Sequence, residues 1–135
     1  MAAQTQDRNA ASRAGVDFND PVAAGAVIYG GALVVLNASG YATPGSIATG
    51  LRARGVASGA VDNSGGLDGD ANVDVRKGVF AFENDGVDPV SGADVENTVY
   101  ITDDQTISKT DGTGTKSAAG KLVGFVNGVP WVQVG

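Results

Sequence analysis

Short runs rich in valine and alanine, punctuated by glycine, recur along the chain and leave little freedom in what it can fold into. They read "AVIYG", "ALVVLN", "LRARGVASG", "NVDVRKGVFAFEN", "TVYITD", "QTISK", "GKLVGFVNG" and "VPWVQVG". β-Branched side chains suit a pleated, half-buried surface, and glycine ends such runs in turns. Between 73 and 82, Val73, Val75, Val79 and Phe82 punctuate polar neighbours, and a period of two returns at 98–109. No window of twelve or more residues holds an apolar stripe at helical spacing. The expectation is an all-β fold, a small antiparallel barrel or sandwich of many short strands.

The 135 residues suffice for one continuous core. Cysteine and histidine are both absent, which removes disulfides, thiolate chemistry and the commonest general base and metal ligand. Residues 1–15 carry Asp7 against Arg8 and Arg13, whereas the rest carries seven basic and fourteen acidic side chains. An acidic body has the wrong sign for a nucleic-acid footprint. "MAAQTQDRNAASRAG" lacks the apolar core of a secretory signal, and no run approaches the ~18 apolar residues of a membrane span. Cytosolic synthesis and no membrane partner are therefore expected. The same fifteen residues hold no aromatic and few branched side chains, too little to offset their own ordering. They are read as a flexible arm (1–15) before a β body (16–135).

An internal repeat is visible at an offset of 66, laying "ALVVLNASGYA" on "TVYITDDQTIS". It matches Leu33 to Val99, Val35 to Ile101, Asn37 to Asp103 and Tyr41 to Ile107, and suggests a body with pseudo-twofold character. It also bears on Asp103 and Asp104, adjacent carboxylates between two apolar runs. The first copy has "NAS" where the second has "DDQ", so the slot takes polar turn residues of several kinds. Neighbours on a strand would in any case point to opposite faces. The pair is read as the tip of a hairpin.

Other motifs fall short of chemistry. In "VDNSGGLDGDANVDV" (61–75), Asp68, Asp70 and Asn72 echo the first ligands of a calcium loop. The sixth and twelfth places would be Val73 and Val79, where that loop needs glycine and glutamate. "DGTGTKSAAGK" (111–121) lacks the glycine that must precede Lys116-Ser117 in a phosphate-binding loop. "NAS" at 37–39 reads as a turn. Phe80, Phe82, Tyr100, Phe125 and Trp131 are read as core or subunit-interface aromatics, and Arg52, Arg54, Arg76 and Lys77 as strand-face charges. No nucleophile–base pair converges, so no enzyme, metal or cofactor is expected; a hydrolase would need two carboxylates roughly 5–9.5 Å apart in a cleft.

The order of these segments carries a resemblance. A polar arm with "TQDRN" is followed by "VAAGAVIYGGALVVLNASGYATPG", "VRKGVFAFEN", "VYITDDQTISKTDGTGTKSAAGKLVGFV" and a terminal "WVQV". Over nearly the whole chain this resembles the small all-β decoration, or cement, proteins of tailed-bacteriophage heads. The resemblance implies a virion structural protein on the outer capsid surface, a homotrimer bridging subunits of the major capsid protein. In that role the arm would attach through hydrogen bonds, with Gln4, Gln6, Arg8, Asn9 and Arg13 as contacts. The alternative is a carbohydrate- or receptor-binding β module with Tyr29, Tyr41 or Trp131 as stacking platforms.

Overall fold

The computed structural model describes Gln6 and residues 16–135; they form thirteen strands and one 3-10 turn, Gly92–Asp94, with no α-helix among them. The all-β expectation holds. The first half contains β1 (Asp17–Pro21), β2 (Val27–Ile28), β3 (Leu33–Leu36), β4 (Ala42–Pro44), β5 (Arg52–Ala57), β6 (Val61–Asp62) and β7 (Asn72–Arg76). Its main sheet runs β1-β7-β5-β3-β4, and β2 pairs with β6 beside it. The second half contains β8 (Gly78–Ala81), β9 (Glu83–Asn84), β10 (Thr98–Ile101), β11 (Thr106–Ser108), β12 (Ala118–Val126) and β13 (Val129–Val134). Its sheet runs β8-β13-β12-β10-β11-β9.

The second sheet closes on itself. β8 lies antiparallel to β13, Phe82 N–H donates to Pro130 O, and β9 then runs parallel to β11. One extended segment, 78–84, therefore closes both edges. The first half repeats the device. After β1 leaves β7, Val22 N–H donates to Ala71 O and Val22 bridges in parallel to Ala42 at the start of β4. Closure removes the exposed edges that would otherwise invite pairing with other chains. Each half is thus a five-stranded barrel of one topology, barrel 1 and barrel 2.

The repeat is deeper than the sequence match, and its register differs by one residue. Val35 pairs with Thr43 as Tyr100 pairs with Ser108, and Val34 faces Gly55 as Val99 faces Gly120. The true offset from β3–β5 to β10–β12 is 65, not 66. A bulge sits at the same place in both, between Val34 and Val35 and between Val99 and Tyr100. Gly55 and Gly120 are also equivalent: a Cβ on either would run into the carbonyl of the next strand, at Arg76 or Gln133. The one-residue error has a physical source. Leu33, Val34 and Val35 are all fully buried, so β3 carries no period-two signal to set its register.

That burial also overturns the pseudo-twofold expectation. Val34, Ala42, Ala57 and Val75 fill barrel 1, and their equivalents Val99, Ile107, Leu122 and Val132 lie in the core of barrel 2. Leu33, Val35 and Val56, on the outside of barrel 1, belong to the core cluster of barrel 2. The matching positions on barrel 2 are Thr98, Tyr100 and Lys121, which are exposed or half-buried. The barrels therefore stack outside-to-core, using different surfaces, where a twofold would use the same surface twice.

Two other features depart from simple alternation. The stretch 73–82 is not one strand, because the chain passes from barrel 1 to barrel 2 at Lys77, whose N–H donates to Val16 O. Val79 accordingly faces out, 43% exposed. β12 and β13 meet in a two-residue turn, with Asn127 at φ 52° and Gly128 at φ 79°, the left-handed pair that a tight hairpin with right-twisted strands requires.

Inside barrel 1, Arg54 donates to Asp20 through Nε and Nη2 at 2.7 and 3.1 Å and lies 3.6 Å over the Phe18 ring. The equivalent places in barrel 2 hold Phe82 and Ala119, both buried. A buried ion pair stabilises little relative to apolar packing, but removing one partner strands the other. Arg54→Ala should therefore cost about 3 kcal/mol in chemical denaturation. The double variant Asp20→Leu/Arg54→Ala should recover most of that loss; if both lose equally, the charge-stranding account fails.

Candidate functional site

Three polar stretches singled out in the sequence, the 102–105 tip, the acidic loop and the 109–117 loop, are each tied to the backbone. At the 102–105 tip, Thr102 and Asp103 donate their N–H groups to Thr106 O, and Asp103 Oδ1 accepts from Gln105 N–H at 2.9 Å. This is the expected turn. Its Asp104 carbonyl accepts from Leu33 N–H at 2.8 Å, so the tip also docks barrel 2 onto barrel 1.

The acidic loop is a scaffold. Asp68 accepts from Ala24 N–H and Asp70 from Leu67 N–H, while Asn72 donates to Asn19 on β1. The three residues that echoed a calcium loop thus point to different partners, and no group of three acidic side chains converges among the described residues. Asn63, which the motif reading passed over, is buried and donates Nδ2 to the carbonyls of Val22, Ala23 and Leu67. Those carbonyls would otherwise be stranded where the chain closes barrel 1.

The third cluster pins the 109–117 loop. Lys116 Nζ lies 3.0 Å from Ser108 Oγ, 3.2 Å from Thr102 Oγ1 and 3.5 Å from Asp85 Oδ2. An amine beside a hydroxyl is the arrangement of a serine–lysine nucleophile. Here Ser108 is fully buried and its hydroxyl donates to Thr110 O, while Lys116 is ion-paired with Asp85. Asp85 is held below the ordinary aspartate range, first by Val87 N–H and then by the Thr102 hydroxyl, with Lys116 adding less. Asp88 is lowered by the hydroxyl and then the N–H of Thr110.

Of the residues proposed for attachment, Gln4, Arg8, Asn9 and Arg13 lie outside the described residues, and Gln6 is exposed. Among the aromatics, Phe82 is buried, and Phe80 and Phe125 pack against the same core. Tyr100 lines a shallow surface depression with Asp94, Asn97, Thr98 and Lys109–Asp111. Trp131 is half-buried on the outside of barrel 2, paired with Ala81 and Gly124 on the flanking strands. Tyr29 is 66% exposed where the barrels meet, in a depression with Gly30, Gly31, Asp104 and Gln105. A second depression continues this seam through Ala81, Phe82, Glu83 and Val129. Tyr41 is half-buried beside Gly69. Surface relief of this kind was not legible in the sequence, because only the packing of the two barrels creates the seam.

Comparison with protein families, with curated proteins and with solved structures finds no match. No helix among the described residues is long and apolar enough to cross a membrane.

The lowered carboxylates set an acid limit. Asp62, Asp85 and Asp88 all titrate below their unfolded value, so the stability they contribute is present above about pH 4 and is lost as pH falls through their folded values. Thermal midpoints should be flat from neutral pH to about 4.5 and fall below about 4. Lys116→Met leaves Asp85 its bonds from Val87 N–H and the Thr102 hydroxyl but removes the amine that joins Asp85, Thr102 and Ser108, and should lower stability by about 1 kcal/mol at neutral pH. It should also open the 109–117 loop to protease; unchanged cleavage would contradict the pinning role.

Proposed function

We propose that the protein is a virion structural protein, a capsid decoration protein that binds the outer surface of a phage head and bridges subunits of the major capsid protein. The observation that carries this reading is that the side-chain clusters best placed for chemistry are committed to holding loops and closing barrels. What the body offers outward is an acidic, closed-edged block with a seam where the barrels meet. The resemblance of nearly the whole chain to decoration proteins supports the same role. The arm supplies the attachment: fifteen residues rich in amide and guanidinium groups, several copies of which engage together if the protein is oligomeric. Residues 16–135 alone should fold with an unchanged thermal midpoint and bind capsids about 100-fold more weakly than the full chain. Undiminished affinity would remove the arm from the mechanism, and a full chain that binds no capsid would end the reading.

One observation favours a second reading, a carbohydrate- or receptor-binding module. Tyr29 presents an exposed ring beside Asp104 and Gln105, a platform for a sugar face next to acceptors for its hydroxyls. A glycan array should then give hits that Tyr29→Ala abolishes; a blank array sinks this alternative.

A further inference from the structure

A backbone step from asparagine or aspartate to glycine is open to attack by its own main chain. Glycine carries no side chain to hinder its amide nitrogen, and it lets the chain swing into the attacking conformation. Four such steps occur here: Asp68-Gly69, Asp85-Gly86, Asp111-Gly112 and Asn127-Gly128. The fold engages the first three. Gly69 N–H donates to Val22 O at 2.9 Å, and the Asp68 carboxylate accepts from Ala24 N–H at 2.8 Å. Asp85 accepts from Val87 N–H and the Thr102 hydroxyl and pairs with Lys116. Gly112 N–H faces the Thr110 hydroxyl at 3.4 Å, and the Asp111 carbonyl accepts from the N–H groups of Thr115 and Lys116. The Asn63-Ser64 step is held as well, since Asn63 is buried with its amide on three carbonyls.

Asn127-Gly128 differs on each count. Both residues are exposed, and among the described residues neither the Asn127 amide nor the Gly128 N–H has a partner. They form the turn between β12 and β13, flanked by the Val126–Val129 pair. Those valines are 57% and 41% exposed, so swinging the turn out of its left-handed conformation uncovers little apolar surface. The side-chain amide can also leave as ammonia, whereas a carboxyl group must first take up a proton that few carboxylates hold at neutral pH. We propose that Asn127 is the site at which this chain undergoes spontaneous deamidation. The Gly128 nitrogen loses its proton to solvent and bonds to Asn127 Cγ. The Cγ–Nδ2 bond breaks, and Nδ2 takes a proton from water and departs as ammonia, leaving a cyclic imide. Water then opens the imide at one carbonyl or the other, giving aspartate or isoaspartate. In isoaspartate the main chain runs through the former side chain and is one atom longer. A two-residue turn with both residues left-handed has no place for that atom, so the product loosens this end of the β12–β13 hairpin. The proposal rests on neither the capsid nor the carbohydrate reading.

The test is to hold the full-length protein for weeks in warm, mildly alkaline buffer, with a parallel sample in urea. Peptide mapping by mass spectrometry, an ammonia assay and an isoaspartate-specific methylation assay then locate the product. In the native protein Asn127 should react within about 10-fold of its rate in urea, while Asn63 should be slowed at least about 100-fold. Isoaspartate should accumulate at 127, and the aged protein should be cut faster by protease at the 126–129 turn. Asn127→Asp keeps a residue that tolerates the turn and should stop most of the ammonia release. An Asn127 that stays intact in the native protein while reacting in urea would mean that the turn shields it, and the proposal fails. It fails equally if Asn127→Asp releases ammonia as fast as the wild type.

Discussion

The double burial of β3 holds the molecule together. Val34 points into barrel 1, while Leu33 and Val35 point out of it into the core of barrel 2, and all three are fully buried. A strand with water on one face would alternate; this one cannot. One four-residue run therefore serves two cores. Small barrels bury little surface individually, so sharing a strand is how two units of this size form one continuous apolar interior. The Leu33 N–H to Asp104 carbonyl bond and the Ser117 hydroxyl, which donates to Ala48 O and accepts from Leu51 N–H, fix the same junction through polar groups.

Polar side chains then do the work that a larger core would do elsewhere. Asn63 holds three carbonyls at the closure of barrel 1, and Lys116 ties β11, the 102–105 tip and the 85–88 turn to one loop. Among the described residues, no buried side-chain nitrogen or oxygen lacks a partner. That satisfaction matters because an unpaired polar group in so small an interior would cost as much as a strong hydrogen bond returns. It also explains why groups that look reactive in the sequence, such as Asp103, Asp68 and Lys116, are structural in the fold.

The two barrels differ most where they meet solvent. Outside-to-core stacking uses one surface of barrel 1 and another of barrel 2. The surface of barrel 2 equivalent to the docked face of barrel 1 carries Thr98, Tyr100 and Lys121 in place of Leu33, Val35 and Val56. Polar substitution there ends the stack after two units, as terminal repeats do in longer arrays. The reverse exchange, polar to apolar, occurs on the outside of β8 and β13, where Trp131 replaces Asp74. Duplicated topology thus carries opposite surface chemistry in its two copies, since the fold itself is indifferent to which residues face out.

The strand-forming pattern, the hairpin at Asp103–Asp104 and the existence of a repeat followed from sequence alone, because β-branching, glycine and turn chemistry act locally. The sequence also settled, through its lack of cysteine and histidine, which chemistries the chain cannot use. The Asn127-Gly128 turn was equally local and could have been read from its dipeptide. Tertiary structure decided everything that depends on which face of a strand meets which neighbour. The repeat register was hidden because β3 is buried on both sides, and the break at Lys77 because alternation continues while the chain changes barrel. Closure through Val22 and through 82–84 was hidden too, since parallel pairing between distant segments leaves no short-range signal. The outward placement of half-buried Trp131 depended on the same thing: a tryptophan in an apolar run reads the same on either side of a sheet, and only the closure of barrel 2 put it outside.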